Sequence, residues 1–156
     1  MENMEVRIVT LPPMRVAYTC GYGEQPELEA QAKLMAWAAE NHLLDGVGQP
    51  RFFGFNNPSP ASGSPNYGYE MWVTVGPEAQ PGGEMAVKAF AGGQFAVLRA
   101  KGVENIYPAW QKLLAWVENS PYRIANNECL EEHLVFWQIP LEELTLDLYL
   151  PVELAK

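Results

Sequence analysis

The sequence predicts an α+β fold built from two β-β-α-β-β repeats. Three observations predict it: strand-like segments flank two helical segments, the second half of the chain repeats the first, and 156 residues suffice for one domain with its own core. We therefore expect a single domain over residues 1–156, with an antiparallel sheet, two main helices and a ligand cleft between the halves.

One constant offset relates the two halves of the chain. It pairs Leu34 with Leu113 and Trp37 with Trp116, inside the segments LMAWAAEN and LLAWVENS. An offset that holds from a turn through a strand to the end of a helix indicates an internal duplication. Repeat one then covers about residues 1–76.

Repeat two covers about residues 84–154, after the flexible link GPEAQPGGE. A repeat of this size with one helix leaves an apolar sheet face uncovered, so we expect the two halves to pack closely. A shorter match pairs Glu70-x-Trp72 with Asp147-x-Tyr149 in the last strand of each repeat.

Each repeat is predicted to run strand, strand, helix, strand, strand. The predicted strands of repeat one are EVRIVTL, RVAYTCGY, RFFGF and YEMWVTV, and those of repeat two are MAVKAF, QFAVLRAK, CLEEHLVFW and LTLDLYLPV. The first helix should run from about Pro26 to Leu44, since proline suits a first turn and Gly46 follows. Its apolar positions at helical spacing are Ala30, Leu34, Trp37 and Ala38.

The second helix is predicted from about Ile106 to Asn119. Its residues Tyr107, Trp110, Leu114 and Val117 step by three and four, which predicts that they share one face of the helix.

Composition and charge exclude several classes of function. The net charge of −9 disfavours nucleic-acid binding, since phosphate backbones repel an acidic surface. Cys20 and Cys129 form no CxxC pair, and the chain has no phosphate loop, dinucleotide fingerprint or catalytic triad pattern. No apolar run approaches the ~18 residues of a membrane span, and MENMEVRIV lacks the apolar run of a signal peptide. We expect a reduced, cytoplasmic protein without a cofactor, a metal or a membrane partner.

The segment NECLEEHLVFW places Glu131 and Glu132 side by side in a predicted strand. Alternation puts Glu132 with Leu130 on one face and Glu131 with His133 on the other, but it does not say which face is functional. An unpaired carboxylate is costly to bury, so one of the two needs either a ligand or a structural partner. If Glu131 faces a ring-lined cleft, it suits a lipophilic cation, and Glu132 should be solvated or paired with a surface base.

Aromatic residues are the second positive feature. Those on elements expected to meet between the halves are Tyr18, Phe52, Tyr69, Trp72, Tyr107, Trp110, Trp116 and Trp137. Core packing is the alternative for each of them, and the equivalent positions of Trp37 and Trp116 favour a scaffold role for that pair.

Several segments together resemble the GyrI-like effector-binding domains of AraC-type and MerR-type multidrug regulators. They are PPMRVAYTCGYG, YEMWVTV, FAGGQFAVLRAKGVENIYPAWQKLLAWV, CLEEHL and LDLYLPV, and they run along nearly the whole chain. The resemblance implies two fused repeats with a pocket between them. It also implies a function, the binding of bulky hydrophobic cations by aromatic walls and an acidic residue.

The resemblance assigns the pocket glutamate to Glu131 and pocket aromatics to Tyr69 and Tyr107. The full expected ligand-binding set is Glu131, Tyr69, Tyr107, Trp110, His133, Trp72, Phe52 and Tyr18. His133 stands where many relatives have tyrosine. A protonated His133 would oppose a cation, so we expect affinity to fall at low pH.

The resemblance also implies alternative functions. Since the sequence begins with a strand and not a helix-turn-helix, we expect a stand-alone effector binder, acting alone or through a protein partner such as a transcription regulator. Some relatives resemble hydrolases of electrophilic compounds, in which Glu131 would be general base or nucleophile. Others inhibit DNA gyrase. Exposed aromatics near the cleft would support a homodimer.

Overall fold

A computed structural model describes residues 5–45, 50–135 and 141–155. Within those ranges it has nine β-strands and two α-helices, which confirms the predicted α+β class. The strands are β1 Arg7–Leu11, β2 Met14–Gly23, β3 Phe52–Asn56, β4 Tyr67–Thr74, β5 Ala86–Phe90, β6 Gly93–Lys101, β7 Tyr122–Ile124, β8 Leu130–Val135 and β9 Thr145–Leu154. The helices are α1 Pro26–Glu40 and α2 Ile106–Glu118.

The chain forms two compact units, each named here by its helix. The α1 unit is Met14–Phe90, and the α2 unit consists of the described residues before and after it. The units differ from the sequence repeats because the first strand of each repeat pairs in the other unit. Strand β1 pairs antiparallel with β6, with Ile8 opposite Ala96. Strand β5 pairs antiparallel with β2, with Val16 opposite Lys88.

In the α1 unit, helix α1 packs on one face of strands β2 and β4. Its buried residues include Ala30, Leu34 and Trp37, as the helical spacing predicts. The approach is close at Gly21, where an added Cβ would lie 2.4 Å from the carbonyl oxygen of Pro26. Any side chain at this position would therefore push helix and strand apart.

The opposite face of this sheet, the α1-unit far face, carries aromatic and charged side chains. Cross-strand neighbours share a face. The registers place Tyr18 opposite Trp72 and Cys20 opposite Glu70, and they place Phe55 opposite Glu70 from the other side. The α1-unit far face is defined by Tyr18, Phe53, Phe55, Glu70, Trp72 and Lys88.

In the α2 unit, strands β6 and β9 turn one face toward helix α2. Buried Leu98 and Leu148 pack there against Leu113 of the helix. Burial of such side chains is the main stabilising contribution, roughly 1.5–3 kcal/mol each. The other face, the α2-unit far face, is defined by Phe95, Val97, Arg99, Leu130, Glu132, Asp147 and Tyr149.

The buried face of α2 coincides only in part with the predicted face. The buried helix residues are Ala109, Leu113 and Val117. Of the four residues on the predicted face, Val117 is buried and Trp110 packs on the core, whereas Tyr107 and Leu114 are exposed. No helix among the described residues is long and apolar enough to span a membrane.

Candidate functional site

The α1-unit far face is centred on the buried carboxylate of Glu70, which is 3% exposed. Trp72 Nε1 donates a hydrogen bond of 2.7 Å to one carboxylate oxygen. Asn57 Nδ2 donates one of 2.9 Å to the other. The ammonium group of Lys88 completes the arrangement with a close ion pair. Since burying a carboxylate is costly, these donors and this charge are what allow Glu70 to lie here.

Aromatic rings surround the Lys88 ammonium. Its Nζ atom lies 4.2 Å from the ring centroid of Tyr18 and 5.1 Å from that of Trp72. Both distances are within the range in which a ring face attracts a cation. Phe55 and Phe90 hold Trp72 from two sides, with centroid distances of 5.5 Å and 5.1 Å. The α1 unit thus contains a carboxylate-and-ring site for an ammonium ion.

On the α2-unit far face, two arginines neutralise the buried carboxylate of Asp147. Arg7 Nη2 lies 3.1 Å from Oδ2, and Arg99 Nε lies 2.8 Å from Oδ1. Arg99 also reaches Oδ2 with its Nη2 atom, at 3.2 Å, so its guanidinium grips both oxygens. Hydrogen bonding to Asp147 raises the pKa of Arg99, which keeps it charged.

Glu132 lies on the same far face and is buried, at 7% exposure. The hydroxyl of Tyr149 donates a 2.7 Å hydrogen bond to its Oε1 atom. The ring of Tyr149 in turn packs edge-on against Phe95, at 5.6 Å between centroids. The expectation that Glu132 is solvated was wrong, whereas its pairing with a surface base stays a prediction. Its backbone lies opposite Asp147, which directs it to the far face.

Glu131 lies on the other face of the same strand. Its Cα is paired with that of Leu148, a core residue that packs with α2, and the residue is partly buried. The structure therefore places the two adjacent glutamates on opposite faces of the strand, and it is Glu132 that contacts Tyr149, whose ring packs against Phe95.

His133 shares the face of Glu131, with its Cα opposite Leu146. The residue is 4% exposed, and this burial lowers its pKa to about 3. The imidazole is therefore neutral at physiological and mildly acidic pH. The lowered pKa places protonation of His133, and any repulsion of a cation by it, at strongly acidic pH, and the expected fall in affinity at low pH stays a prediction.

Comparison with known proteins identifies the fold family. The model of the GyrI-like small molecule binding domain matches residues 4–153. The chain belongs to this family. No curated protein sequence matches this GyrI-like chain.

Solved structures share the fold at low sequence identity. The EcmrR C-terminal domain is 16% identical with a TM-score of 0.71, and the match covers 97% of this chain and 99% of that one. In the EcmrR–DNA complex the match spans 58% of the EcmrR chain. A hydrolase from Listeria innocua is 14% identical with a TM-score of 0.72, with 96% and 92% covered. SAV2435 bound to tetraphenylphosphonium is 11% identical with a TM-score of 0.52, with 96% and 94% covered.

The GyrI-like domain brings together two of the eight predicted ligand-binding residues, Tyr18 and Trp72, around Lys88. Tyr69 lies opposite Gly21, and Phe52 lies opposite Val73, so both are on the face toward α1.

The other two predicted aromatic residues belong to helix α2 in the α2 unit. Tyr107 is 72% exposed, and Trp110 packs on the α2-unit core. Trp137 lies outside the described residues.

Sequence reasoning missed the residues Phe53, Phe55, Glu70, Phe95, Glu132, Asp147 and Tyr149 as far-face residues. The match of Glu70-x-Trp72 to Asp147-x-Tyr149 was the signal that could have found several of them. Two equivalent strands that each carry an acid two residues before an aromatic ring place acid and ring on the same face.

Two surface grooves of the GyrI-like domain lie elsewhere. One of about 540 Å³ is lined in part by Lys101, Glu104, Lys112 and Glu142. The other, of about 500 Å³, lies along the end of α2 beside Trp116. Neither groove has a buried acid among its lining residues, in contrast to the far faces. The described residues contain no cluster that could hold a metal ion.

Proposed function

We propose that this GyrI-like domain binds lipophilic organic cations, with Glu132 as the anchoring charge. The observation that carries the proposal is a carboxylate buried at 7% exposure and hydrogen-bonded to Tyr149, whose ring packs against Phe95. The anchor moves from Glu131, which the family resemblance suggested, to Glu132, because Glu132 is the one on the ring-bearing face.

Burying a charged group costs free energy, and this cost makes the site selective. A buried carboxylate loses hydration, and a cation that reaches it restores part of that loss. A neutral ligand of the same shape restores none, so the site selects for positive charge. The rings bury the apolar body of the ligand and attract the cation through their faces.

The ligand class of a relative supports the proposal. SAV2435 was solved with tetraphenylphosphonium, an apolar cation, although its 11% identity shows the fold alone. Hydrolysis of an electrophile and inhibition of gyrase stay predictions of the family resemblance.

A titration with the fluorescent cation rhodamine 6G tests the proposal. We expect Glu132→Gln to weaken binding by at least about 30-fold, because an uncharged amide leaves the cation unpaired. Glu131→Gln is the matched control, one residue away on the opposite face, and should change affinity less than about threefold. Equal affinity of Glu132→Gln and the wild type would refute Glu132 as anchor. A loss confined to Glu131→Gln would return that role to Glu131.

A further inference from the structure

The environment of Lys88 in the α1 unit has the composition of a receptor for an organic cation. The ammonium contacts the buried carboxylate of Glu70 and lies over the rings of Tyr18 and Trp72. A carboxylate with ring faces is how proteins bind free alkylammonium ions. Here the bound ammonium is one of the chain's own side chains.

The site keeps its shape without help from Lys88. Trp72 Nε1 and Asn57 Nδ2 hold the two oxygens of Glu70, and neither depends on the lysine. Phe55 and Phe90 pack against the ring of Trp72 and fix its orientation. An anchor held by such independent contacts is preorganised for another cation of the same kind.

The approach to Glu70 from solvent runs along the lysine itself. The Lys88 side chain is 37% exposed, whereas that of Glu70 is 5% exposed. The stem of the lysine therefore fills the space between solvent and the carboxylate. An incoming cation that takes the place of the ammonium releases Lys88 into water, where its charge is well hydrated.

We infer that Glu70, Tyr18 and Trp72 form a second cation site, filled at rest by Lys88, and that organic ammonium ions compete with Lys88 for it. This inference concerns the α1 unit and does not depend on Glu132. Lys88 then acts as an intramolecular competitor for the site. A ligand displaces it only if burying the apolar part of the ligand contributes more free energy than is lost when the lysine side chain leaves.

Chemical rescue tests the site directly. Lys88→Ala removes three methylene groups and the amine, which are the atoms of n-propylammonium. We expect n-propylammonium chloride to raise the melting temperature of Lys88→Ala in a saturable manner, while n-propanol at equal concentration does not. Lys88→Met refills the space with apolar atoms and should show no rescue, and adding Glu70→Gln to Lys88→Ala should abolish it. A rescue that is absent, or equal in the wild type, would overturn the inference.

A second measurement uses the wild-type protein and holds even if Lys88→Ala fails to fold. The acylation rate of Lys88 by an N-hydroxysuccinimide ester is followed by mass spectrometry, with exposed Lys112 as internal control. Rhodamine 6G at saturation should raise the Lys88 rate at least about threefold over the Lys112 rate, as expected for an amine released from an ion pair into water. An unchanged or lowered rate would overturn the competition.

The two proposals fail separately. If dye binding is lost in Glu132→Gln but Lys88 acylation never responds to dye, the α1-unit site is refuted and the Glu132 anchor stands. If Lys88→Ala is rescued by n-propylammonium but Glu132→Gln binds dye normally, the reverse holds.

Discussion

Each of the two units has a buried acid on its far face, but different side chains neutralise it. Glu70 in the α1 unit and Asp147 in the α2 unit are equivalent by sequence repeat and by strand. Glu70 is neutralised by one lysine among rings, whereas Asp147 is neutralised by two arginines.

The strand next to each acid carries a different residue at the position opposite that acid on the far face. Phe55 on β3 lies opposite Glu70, and Glu132 on β8 lies opposite Asp147. Phe55 and Glu132 are therefore equivalent positions. The aromatic residue two positions after each acid, Trp72 or Tyr149, also differs in the carboxylate to which it donates a hydrogen bond. Trp72 donates to Glu70 on its own strand, whereas Tyr149 donates to Glu132 on the neighbouring strand. At this position the α1 unit has an aromatic ring and the α2 unit has a carboxylate.

The largest expected effect tests the equivalence of the two helices. Leu34 and Leu113 match by repeat, and both are fully buried. Replacing either with alanine removes buried methyl groups and leaves a cavity, so each variant should lose about 2–5 kcal/mol of unfolding free energy. Urea denaturation measures both. A loss below about 1 kcal/mol at one site only would show that the repeats pack unequally.

The next effect distinguishes the two ways of neutralising an acid. Lys88→Met should lower the free energy of unfolding by about 2 kcal/mol, because Glu70 then stays buried with only neutral hydrogen-bond donors. This value is lower than for a fully buried ion pair, because Lys88 is partly exposed. Arg99→Met should cost less than about 1 kcal/mol, because Arg7 still pairs with Asp147 and both arginines are half exposed. Thermal denaturation of Lys88→Met, Arg99→Met and the wild type measures the two losses of stability. Equal losses would contradict the contrast between one cation and two.

A smaller effect concerns the donor to the second carboxylate. Tyr149→Phe keeps the ring against Phe95 but removes the hydroxyl that donates to Glu132. Loss of a hydrogen bond to a buried charged group should cost about 1.5 kcal/mol. Tyr22→Phe is the control, since Tyr22 is 63% exposed and should tolerate the change. An equal response of the two variants would mean that the Tyr149 hydroxyl contributes nothing to stability.

The smallest effect is a pH dependence specific to β8. His133 is buried with a pKa lowered to about 3, so the unfolded chain, with a histidine pKa near 6.5, takes up a proton that the folded chain does not. Its contribution to stability is complete above about pH 6.5 and is lost as pH falls toward 3. Between about pH 7 and pH 5.5 the loss should be about 1 kcal/mol.

The variant His133→Asn copies the equivalent position of the other repeat, the exposed Asn56 on β3. Urea denaturation at several pH values should show a flatter stability curve for His133→Asn than for the wild type. Parallel curves would mean that His133 is protonated in the folded chain at these pH values.

Much of the fold follows from local pattern. Proline at the start of α1 and the spacing of its apolar residues predicted the helix. The helix ends at Glu40 and not at about Leu44, and the next residue, Asn41, donates from Nδ2 to the carbonyl of Trp37. The short strand β7 was not predicted, since three residues carry little periodic signal. The exchange of β1 and β5 between units could not be predicted, because strand pairing is set by contacts distant in sequence.

The site was less predictable than the fold. Adjacent Glu131 and Glu132 are symmetric under alternation, since β8 has apolar residues on both faces. Only the register with β9, which pairs Glu132 with Asp147 and Glu131 with Leu148, distinguishes them. The pocket role of Tyr107 came from the family resemblance and stays a prediction, since its 72% exposure does not test ligand binding.

The central claim is that a buried carboxylate selects ligands by charge. Isothermal titration with tetraphenylphosphonium and tetraphenylborate tests it most directly, since the two ions share one shape and differ in sign. The account predicts that the phosphonium binds at least about 10-fold more tightly and that this preference falls sharply in Glu132→Gln but not in Glu131→Gln. Equal binding of the two ions, or a preference that survives in Glu132→Gln, would contradict it.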